Sequence, residues 1–137
     1  MSDVNDWNAS IIAEFRANAG KVAGQFENVP LLLLHTTGAK SGQERINPLA
    51  YRVDGDTFVI FASKAGAPTN PDWFHNVVAN ADASVEVGTD TIAVRAKVAA
   101  GDERERLWSA QKTDMPGFAD YEAKTTRQIP VVVLERV

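Results

Sequence analysis

Residues 48–63 decide the fold, and they read Pro-Leu-Ala-Tyr-Arg-Val-Asp-Gly-Asp-Thr-Phe-Val-Ile-Phe-Ala-Ser. Within this stretch, two runs rich in apolar residues, 48–53 and 57–63, flank Asp54-Gly55-Asp56. Asp-Gly between two such runs is a strong hairpin signal, because glycine accepts the positive φ of a tight turn. We therefore predict two antiparallel strands joined by this turn.

Further strands are predicted on both sides of the hairpin. Residues 30–37 contain four consecutive leucines in a run too short for a typical helix, which predicts a buried strand. Residues 83–87 and 91–99 predict a second hairpin around Gly88. In the second of these strands, apolar and polar residues alternate as in a half-solvated antiparallel strand. Residues 129–135 are nearly all β-branched, and a terminal strand of this kind commonly closes a sheet or barrel.

An amphipathic helix is predicted at the N-terminus. Apolar residues recur there every four positions, and a glycine provides the stop signal: Trp7, Ile11, Phe15, Ala19 and Gly20. Such a helix could lie on a membrane surface. Its polar face carries few basic residues, however, which favours packing against the rest of the protein.

Two more helices are predicted, and they complete the fold class. Asn70-Pro71-Asp72 indicates a short helix to about residue 80, with Asn70 as its N-cap. Asp102, with Glu105 three residues on, indicates a capping-box-like start for a second helix, which Pro116-Gly117 ends. About six antiparallel strands with peripheral helices predict an α+β protein built on a small barrel.

Length and composition narrow the functional classes. A chain of 137 residues is predicted to form one domain, 1–137, with an N-terminal helix at 1–20 and a barrel at 30–135. It has no cysteine, which excludes disulfides and thiolate chemistry and fits a cytoplasmic protein. Its apolar runs are too short to cross a bilayer, and its acidic N-terminus is unlike a secretion signal. A net charge of −4 argues against nucleic-acid binding.

The common catalytic motifs are absent from the sequence. There is no nucleotide-binding Gly-rich loop, no H-E-x-x-H and no G-x-S-x-G. The two histidines, His35 and His75, have no second ligand at metal spacing, so a hydrogen-bonded structural role is favoured for each and no metal site is predicted.

Three segments are candidates for chemistry. Residues 37–45 combine glycines, hydroxyls and two cations, which suits phosphate or carboxylate binding and equally suits a solvated hairpin tip. Residues 62–68 are small and could let a flat ring approach closely, although an ordinary connector looks the same. Tyr121 lies in the segment after the Pro-Gly break, which is predicted to be irregular, and it is the best placed proton donor or else a packing residue. Trp73, Phe74 and Trp108 are expected in the core.

The order of these features resembles one known family. The motifs that carry the resemblance are Thr36-Thr37-Gly38-x-Lys40-Ser41-Gly42-x-x-Arg45, Asn47-Pro48-Leu49, Ala62-Ser63-Lys64-x-Gly66-Ala67-Pro68-x-x-Pro71-x-Trp73-Phe74-x-Asn76, Tyr121 and Ile129-Pro130-Val131-Val132-Val133-Leu134. Together they are similar to the deazaflavin-dependent nitroreductases, an actinobacterial family that uses coenzyme F420. The resemblance implies a six- to seven-stranded antiparallel split β-barrel with peripheral helices, related to barrels that bind flavin mononucleotide (FMN).

The resemblance also implies a set of site residues. Lys40, Ser41 and Arg45 would hold the anionic phosphate and tail of the cofactor. The remaining cofactor-binding positions would be Asn47, Pro48, Ala62, Ser63, Lys64, Pro68, Trp73 and Asn76. Tyr121 and Ser63 would polarise or protonate the acceptor. Two departures matter: Ala39 replaces a basic residue of many relatives, and Phe118 stands where some relatives have a second tyrosine.

The implied activity is hydride transfer from reduced F420 to a small electron-poor acceptor, which can be a quinone, a nitroaromatic compound or an activated alkene. Two alternatives stay open: an FMN-dependent oxidoreductase on the same barrel, and a protein that binds the deazaflavin without turnover. Barrels of this class often pair, so a homodimer is possible.

Overall fold

Six antiparallel strands close into a barrel with the strand order β1-β2-β3-β6-β5-β4. The computed structural model describes residues 3–22 and 30–137. The strands are β1 (Leu31–Thr37), β2 (Glu44–Asp54), β3 (Thr57–Phe61), β4 (Asp82–Val87), β5 (Asp90–Val98) and β6 (Val131–Arg136). The helices are α1 (Asp3–Ala17), α2 (Asp72–Ala79), α3 (Gly101–Asp114) and α4 (Gly117–Ala123), and Lys64–Gly66 forms a 3-10 turn.

The predicted hairpins and the predicted closing strand are confirmed. Tyr51 to Asp54 of β2 pair with β3 around the Asp-Gly turn, and β4 pairs with β5 around Gly88. The last strand, β6, lies between β3 and β5 and joins the two hairpins. The all-antiparallel barrel with peripheral helices is therefore the architecture that the sequence predicts.

The four leucines of β1 are all buried, because the two faces of this strand meet different parts of the core. Leu32 and Leu34 pack in the barrel interior, together with Trp73 and Val77 of α2. The alternate residues Leu31 and Leu33 pack outside the barrel in a cluster that includes Phe15 of α1. A strand that is covered on both faces has a continuous apolar run instead of an alternating one.

A third cluster covers the outer face of β3 and β6. Phe61 contacts Trp108 of α3 and Phe118 of α4, with ring centroids 5.7 and 5.8 Å apart respectively. Leu107 and Trp108 are fully buried in this cluster, as expected for residues on the apolar face of the predicted second helix. None of the helices in the described parts of the chain is long and apolar enough to span a bilayer.

Three local predictions are wrong. Pro71, which has extended backbone angles, is the N-cap of α2, so Asn70 lies one residue too early to cap that helix. Ala100 is the N-cap of α3, and Asp102 lies inside its first turn without a capping hydrogen bond. The segment that contains Tyr121 is not irregular, because α4 begins directly after Pro116.

Although the strand order closes, residues 44–50 of β2 have, in the described part of the chain, a strand partner on one side only, and their other side is the open edge of β2. Residues 44–50 of this strand pair with β1, whereas its pairing with β3 begins only at Tyr51. The Tyr51 N–H donates to the Pro30 carbonyl over 3.2 Å. Backbone N–H groups alternate in direction along a strand, so position 48 faces away from β1, towards the edge where the described residues provide no strand partner. Pro48 has no N–H group, and at this edge no ladder hydrogen bond is lost.

Candidate functional site

One end of the barrel carries an open groove of about 1110 Å³. Three elements form it: α1, α2 and the segment from the β1–β2 loop into β2. β1 and β3 end, and β2 begins, at this same end of the antiparallel barrel. Therefore the β1–β2 loop and residues 62–70 (the ledge), which connect β3 to α2, both emerge there.

Five of the residues that the resemblance assigns to cofactor binding line this groove. They are Lys40, Ser41, Arg45, Asn47 and Asn76. Lys40 and Arg45 are exposed, and no hydrogen bond or ion pair occupies either side chain within residues 3–22 and 30–137. Two cations without partners among the described residues, beside the Ser41 hydroxyl and the Asn47 amide, are suited to hold phosphate or carboxylate groups.

The β1–β2 loop has a defined conformation that presents these groups. The Gly38 N–H donates to the Gln43 carbonyl over 2.8 Å, and the Gly42 N–H donates to the Gly38 carbonyl over 2.9 Å. Gly42 has a φ of +72°, which an L side chain would strain. A Cβ on Gly38 would lie 2.5 Å from Ser41 Oγ. The positive φ therefore favours glycine at position 42, whereas a Cβ at position 38 would displace the Ser41 side chain.

Asn76 of α2 fixes this loop from below. Its side-chain oxygen accepts a hydrogen bond from the Ala39 N–H over 3.0 Å, and its Nδ2 donates to Thr36 Oγ1 over 3.2 Å. Asn76 is buried, and its bond to Thr36 lies away from bulk water, where an unpaired polar group is costly. Although Asn76 lines the groove, both groups of its amide already bond to Thr36 and Ala39. Its structural role is therefore to position the β1–β2 loop.

The ledge holds a second group of predicted residues: Ala62, Ser63, Lys64 and Pro68. Lys64 has a φ of +47°, in the left-handed region that costs energy for a residue other than glycine. Its Nζ donates to Thr69 Oγ1 over 3.3 Å. Ala62 and Ser63 are buried, whereas Lys64 and Pro68 are exposed at the surface of the ledge.

Tyr121 lies next to the ledge. A Cβ on Gly66 would lie 2.8 Å from the Tyr121 carbonyl oxygen, so only glycine permits this close approach of α4. The half-buried Tyr121 ring packs edge-on against Phe118, with centroids 5.3 Å apart. No hydrogen bond occupies the Tyr121 hydroxyl within the described residues. The geometry thus brings Tyr121 and Ser63 to neighbouring elements.

Two predicted site residues have other surroundings. Trp73 is only 4% exposed and packs in the barrel interior, which agrees with the core position expected from its pattern and not with a groove wall. Pro48 lies in the middle of β2 at the open edge, one residue beyond Asn47. Phe118 is buried against Phe61 and Trp108, so this departure from the family pattern is a core residue here.

Several groove residues are not among the sequence predictions. Asn8, Ala9 and Ile12 of α1 form one wall, and Asp72 and His75 of α2 contribute to another. The contact of α1 with the groove is long-range, and no local pattern reports it. Asp72 and His75 lie between Pro71 and Asn76, within the motif that carries the family resemblance. Their position on the helix beside Asn76 is the signal from which their place in the groove could have been predicted.

A chain of polar contacts connects α1 to the groove. Arg16 of α1 donates two hydrogen bonds to the Glu86 carboxylate, 2.7 and 3.1 Å long. His35 Nε2 lies 2.6 Å from the same carboxylate, and its Nδ1 lies 3.4 Å from Glu44 at the groove. The hydrogen bond from Arg16 holds the pKa of Glu86 below its usual range, with His35 contributing in the same direction against burial. The structural role favoured for His35 from the sequence agrees with these contacts.

Several known proteins are similar to this chain. A family model described as F420H(2)-dependent quinone reductase matches residues 7–136. An F420H(2)-dependent quinone reductase of Mycobacterium tuberculosis is 40% identical over 128 residues, which cover 90% of this chain and 86% of that protein. A solved structure of an F420-H2 dependent reductase is 39% identical with a TM-score of 0.71, and the match covers 77% of this chain and 94% of the other. A structure described as a domain-swapped dimer is 35% identical with a TM-score of 0.73, covering 97% of this chain and 100% of the other.

Proposed function

Because the chain belongs to the F420H(2)-dependent quinone reductase family, we propose that it binds coenzyme F420 and reduces quinones with the reduced cofactor. The observation that carries this proposal is the groove in which Lys40 and Arg45, both exposed, lie beside Ser41 and Asn47. A quinone is the acceptor that the relatives' names indicate. Nitroaromatic compounds and activated alkenes are further acceptors to be compared with it.

The groove fits the anionic part of F420 in chemistry and in size. The phosphate and the glutamate tail of F420 need cations and hydrogen-bond donors, which Lys40, Arg45 and the Ser41 hydroxyl supply. Sites for drug-sized ligands have volumes of about 300–1000 Å³, so a groove of about 1110 Å³ has enough room. Glu44 also lines the groove, but its carboxylate lies 3.4 Å from His35 Nδ1.

The open edge of β2 and the ledge are the proposed site of the deazaflavin ring. Asn47 and Pro48 lie on the β2 side, while Ala62, Ser63 and Lys64 lie on the ledge. Small residues let a flat ring approach the backbone, and the open edge leaves peptide groups free for hydrogen bonds. When it is bound and reduced, F420 supplies a hydride from C5 of the ring.

Quinone reduction also requires a proton, which a residue near the ledge can donate. A quinone that gains a hydride becomes a hydroquinone anion, and one proton on its oxygen completes the quinol. The Tyr121 hydroxyl is the proposed donor, because no described residue hydrogen-bonds to it and the Tyr121 backbone lies beside Gly66 of the ledge. Ser63 is the proposed second hydrogen-bond donor, which would favour the negative charge that develops on the oxygen.

Cofactor titration is the direct test. Purified protein is titrated with F420 and, separately, with FMN, and the fluorescence of each cofactor is followed. Tight binding to F420 is expected, whereas tight binding to FMN alone would contradict the proposal. Reduced F420 is then mixed with menadione, and oxidation of the cofactor, followed as a change in its absorbance, is expected at a rate that depends on the protein. Binding without turnover across quinone, nitroaromatic and alkene acceptors would indicate a carrier.

Three further properties of the protein are proposed: its oligomeric state, its location and its domain organisation. A homodimer is supported by the likeness to the structure described as a domain-swapped dimer, and light scattering should then give twice the 14.9 kDa of one chain. A cytoplasmic location is supported by the cysteine-free composition, and cell fractionation tests it. A single domain predicts one cooperative unfolding transition in denaturant.

A further inference from the structure

Arg127 makes an unusual set of contacts with the ledge. Its Nε donates to the Ala67 carbonyl over 2.9 Å, and its Nη2 donates to the Ser63 carbonyl over 2.8 Å. Its Nη1 donates both to the Ala62 carbonyl, over 3.1 Å, and to Asn70 Oδ1, over 2.8 Å. All four acceptors belong to the ledge, which lies about 60 residues earlier in the chain.

The acceptors of these bonds are neutral. Three are backbone carbonyls and one is the Asn70 amide, and no carboxylate pairs with Arg127 within the described residues. Burial accordingly lowers the pKa of the Arg127 guanidinium from its usual value. A planar fork with five donors can satisfy four acceptors in fixed directions, which a lysine ammonium cannot do. The contact set is therefore specific to arginine.

The bonds enclose the strained part of the ledge. Ala62 and Ser63 precede the 3-10 turn at 64–66, and Ala67 and Asn70 follow it. Within the turn, Lys64 and Gly66 have φ values of +47° and +80°. A residue other than glycine in this region persists only where the surrounding structure holds it. Arg127 supplies that restraint by tying both ends of the turn to one rigid group.

We propose that Arg127 is a positioning residue that holds the ledge in its ligand-binding conformation. The inference rests on the proposed function, because it concerns the Ser63 and Lys64 side of the proposed ring site. Arg127 itself touches neither ring nor acceptor in this proposal. Its effect is transmitted through the carbonyls of Ala62 and Ser63 to the residues that do.

The test compares Arg127→Ala and Arg127→Lys with a matched control, Arg136→Lys. Arg136 also donates to a backbone carbonyl, that of Asp56 over 3.1 Å, but at the β2–β3 turn at the other end of the barrel. Amide hydrogen exchange of residues 62–70 is measured for each variant without any cofactor. F420 affinity, kcat and KM for menadione are measured with and without millimolar guanidinium chloride.

Both Arg127 variants should exchange ledge amides faster while the strands keep their protection, and both should bind F420 about tenfold or more weakly. Guanidinium should restore part of the affinity of Arg127→Ala, whereas the control variant should resemble the wild type. Full activity in Arg127→Lys would overturn the proposal, because charge alone would then suffice. Unchanged amide exchange of residues 62–70 in the Arg127 variants would overturn it as well. Faster exchange with unchanged F420 affinity and unchanged kcat would also overturn it. A wild type that binds no F420 would instead contradict the proposed function, and the amide exchange data would still show whether Arg127 holds the ledge.

Discussion

Removing both groove cations should abolish most of the affinity for F420. In the Lys40→Ala/Arg45→Ala variant, two exposed side chains that have no partner within the described residues are lost, so little of the fold should depend on them. A hydrogen bond to a charged group contributes about 1.5–3 kcal/mol. Two such contacts, reduced by solvent screening at an exposed groove, correspond to about 2–5 kcal/mol, which weakens binding about 30-fold to several thousand-fold.

The matched control is Arg95→Ala/Lys97→Ala, which removes the same charge from β5. These two side chains form surface ion pairs with Asp82 and Glu103, and neither lines the groove. Fluorescence titration with F420 at several salt concentrations measures all three proteins, and thermal unfolding confirms that each is folded. An affinity of the groove variant within about threefold of that of the control would refute the assignment, because bulk charge would then explain the effect.

Three other perturbations test separate parts of the site. Tyr121→Phe should lower kcat for menadione by about tenfold or more and change F420 affinity little, and an equal loss of both would make it a binding residue instead. Asn76→Ala leaves the Ala39 N–H without its acceptor and should reduce the free energy of unfolding by about 1–3 kcal/mol in denaturant titrations; an unchanged value would show that the loop does not depend on it. Because Arg16 lowers the pKa of Glu86 below the ordinary 4.5, the pair's stabilisation is complete above that pH and is lost as the pH falls through the lower folded-state pKa. Unfolding of Glu86→Gln should therefore depend less on acid than that of the wild type, and parallel curves would contradict the contact.

The sequence predicts those parts of the fold that are encoded locally. The Asp-Gly hairpin, the second hairpin around Gly88 and the closing strand β6 follow from turn chemistry and hydrophobic period, and each is confirmed. The candidate site residues at 40, 41, 45 and 47 are close together in sequence, so their common location on one groove could also be anticipated.

Long-range contacts account for what the sequence does not predict. Asn70 has a side chain suited to an N-cap, yet its side-chain oxygen accepts a hydrogen bond from Arg127, which lies 57 residues later in the chain. The groove wall formed by α1 is held by long-range contacts, which include the packing of Phe15 on Leu33 and the ion pair between Arg16 and Glu86, 70 residues apart. A local pattern reports propensity and period, whereas these contacts depend on how the closed barrel brings distant elements together.

The helix α2 connects the two halves of the site mechanically. Its first turn follows the ledge that Arg127 holds, and one turn later its buried Asn76 holds the loop that carries Lys40. Anion binding at the loop and ring binding at the ledge would therefore act on one rigid element of eight residues, which Trp73 anchors in the barrel interior. A cofactor that spans both halves meets groups whose separation the core already fixes, and this lowers the ordering cost of binding. The burial of Trp73 thus has a functional consequence even though its side chain lies outside the groove.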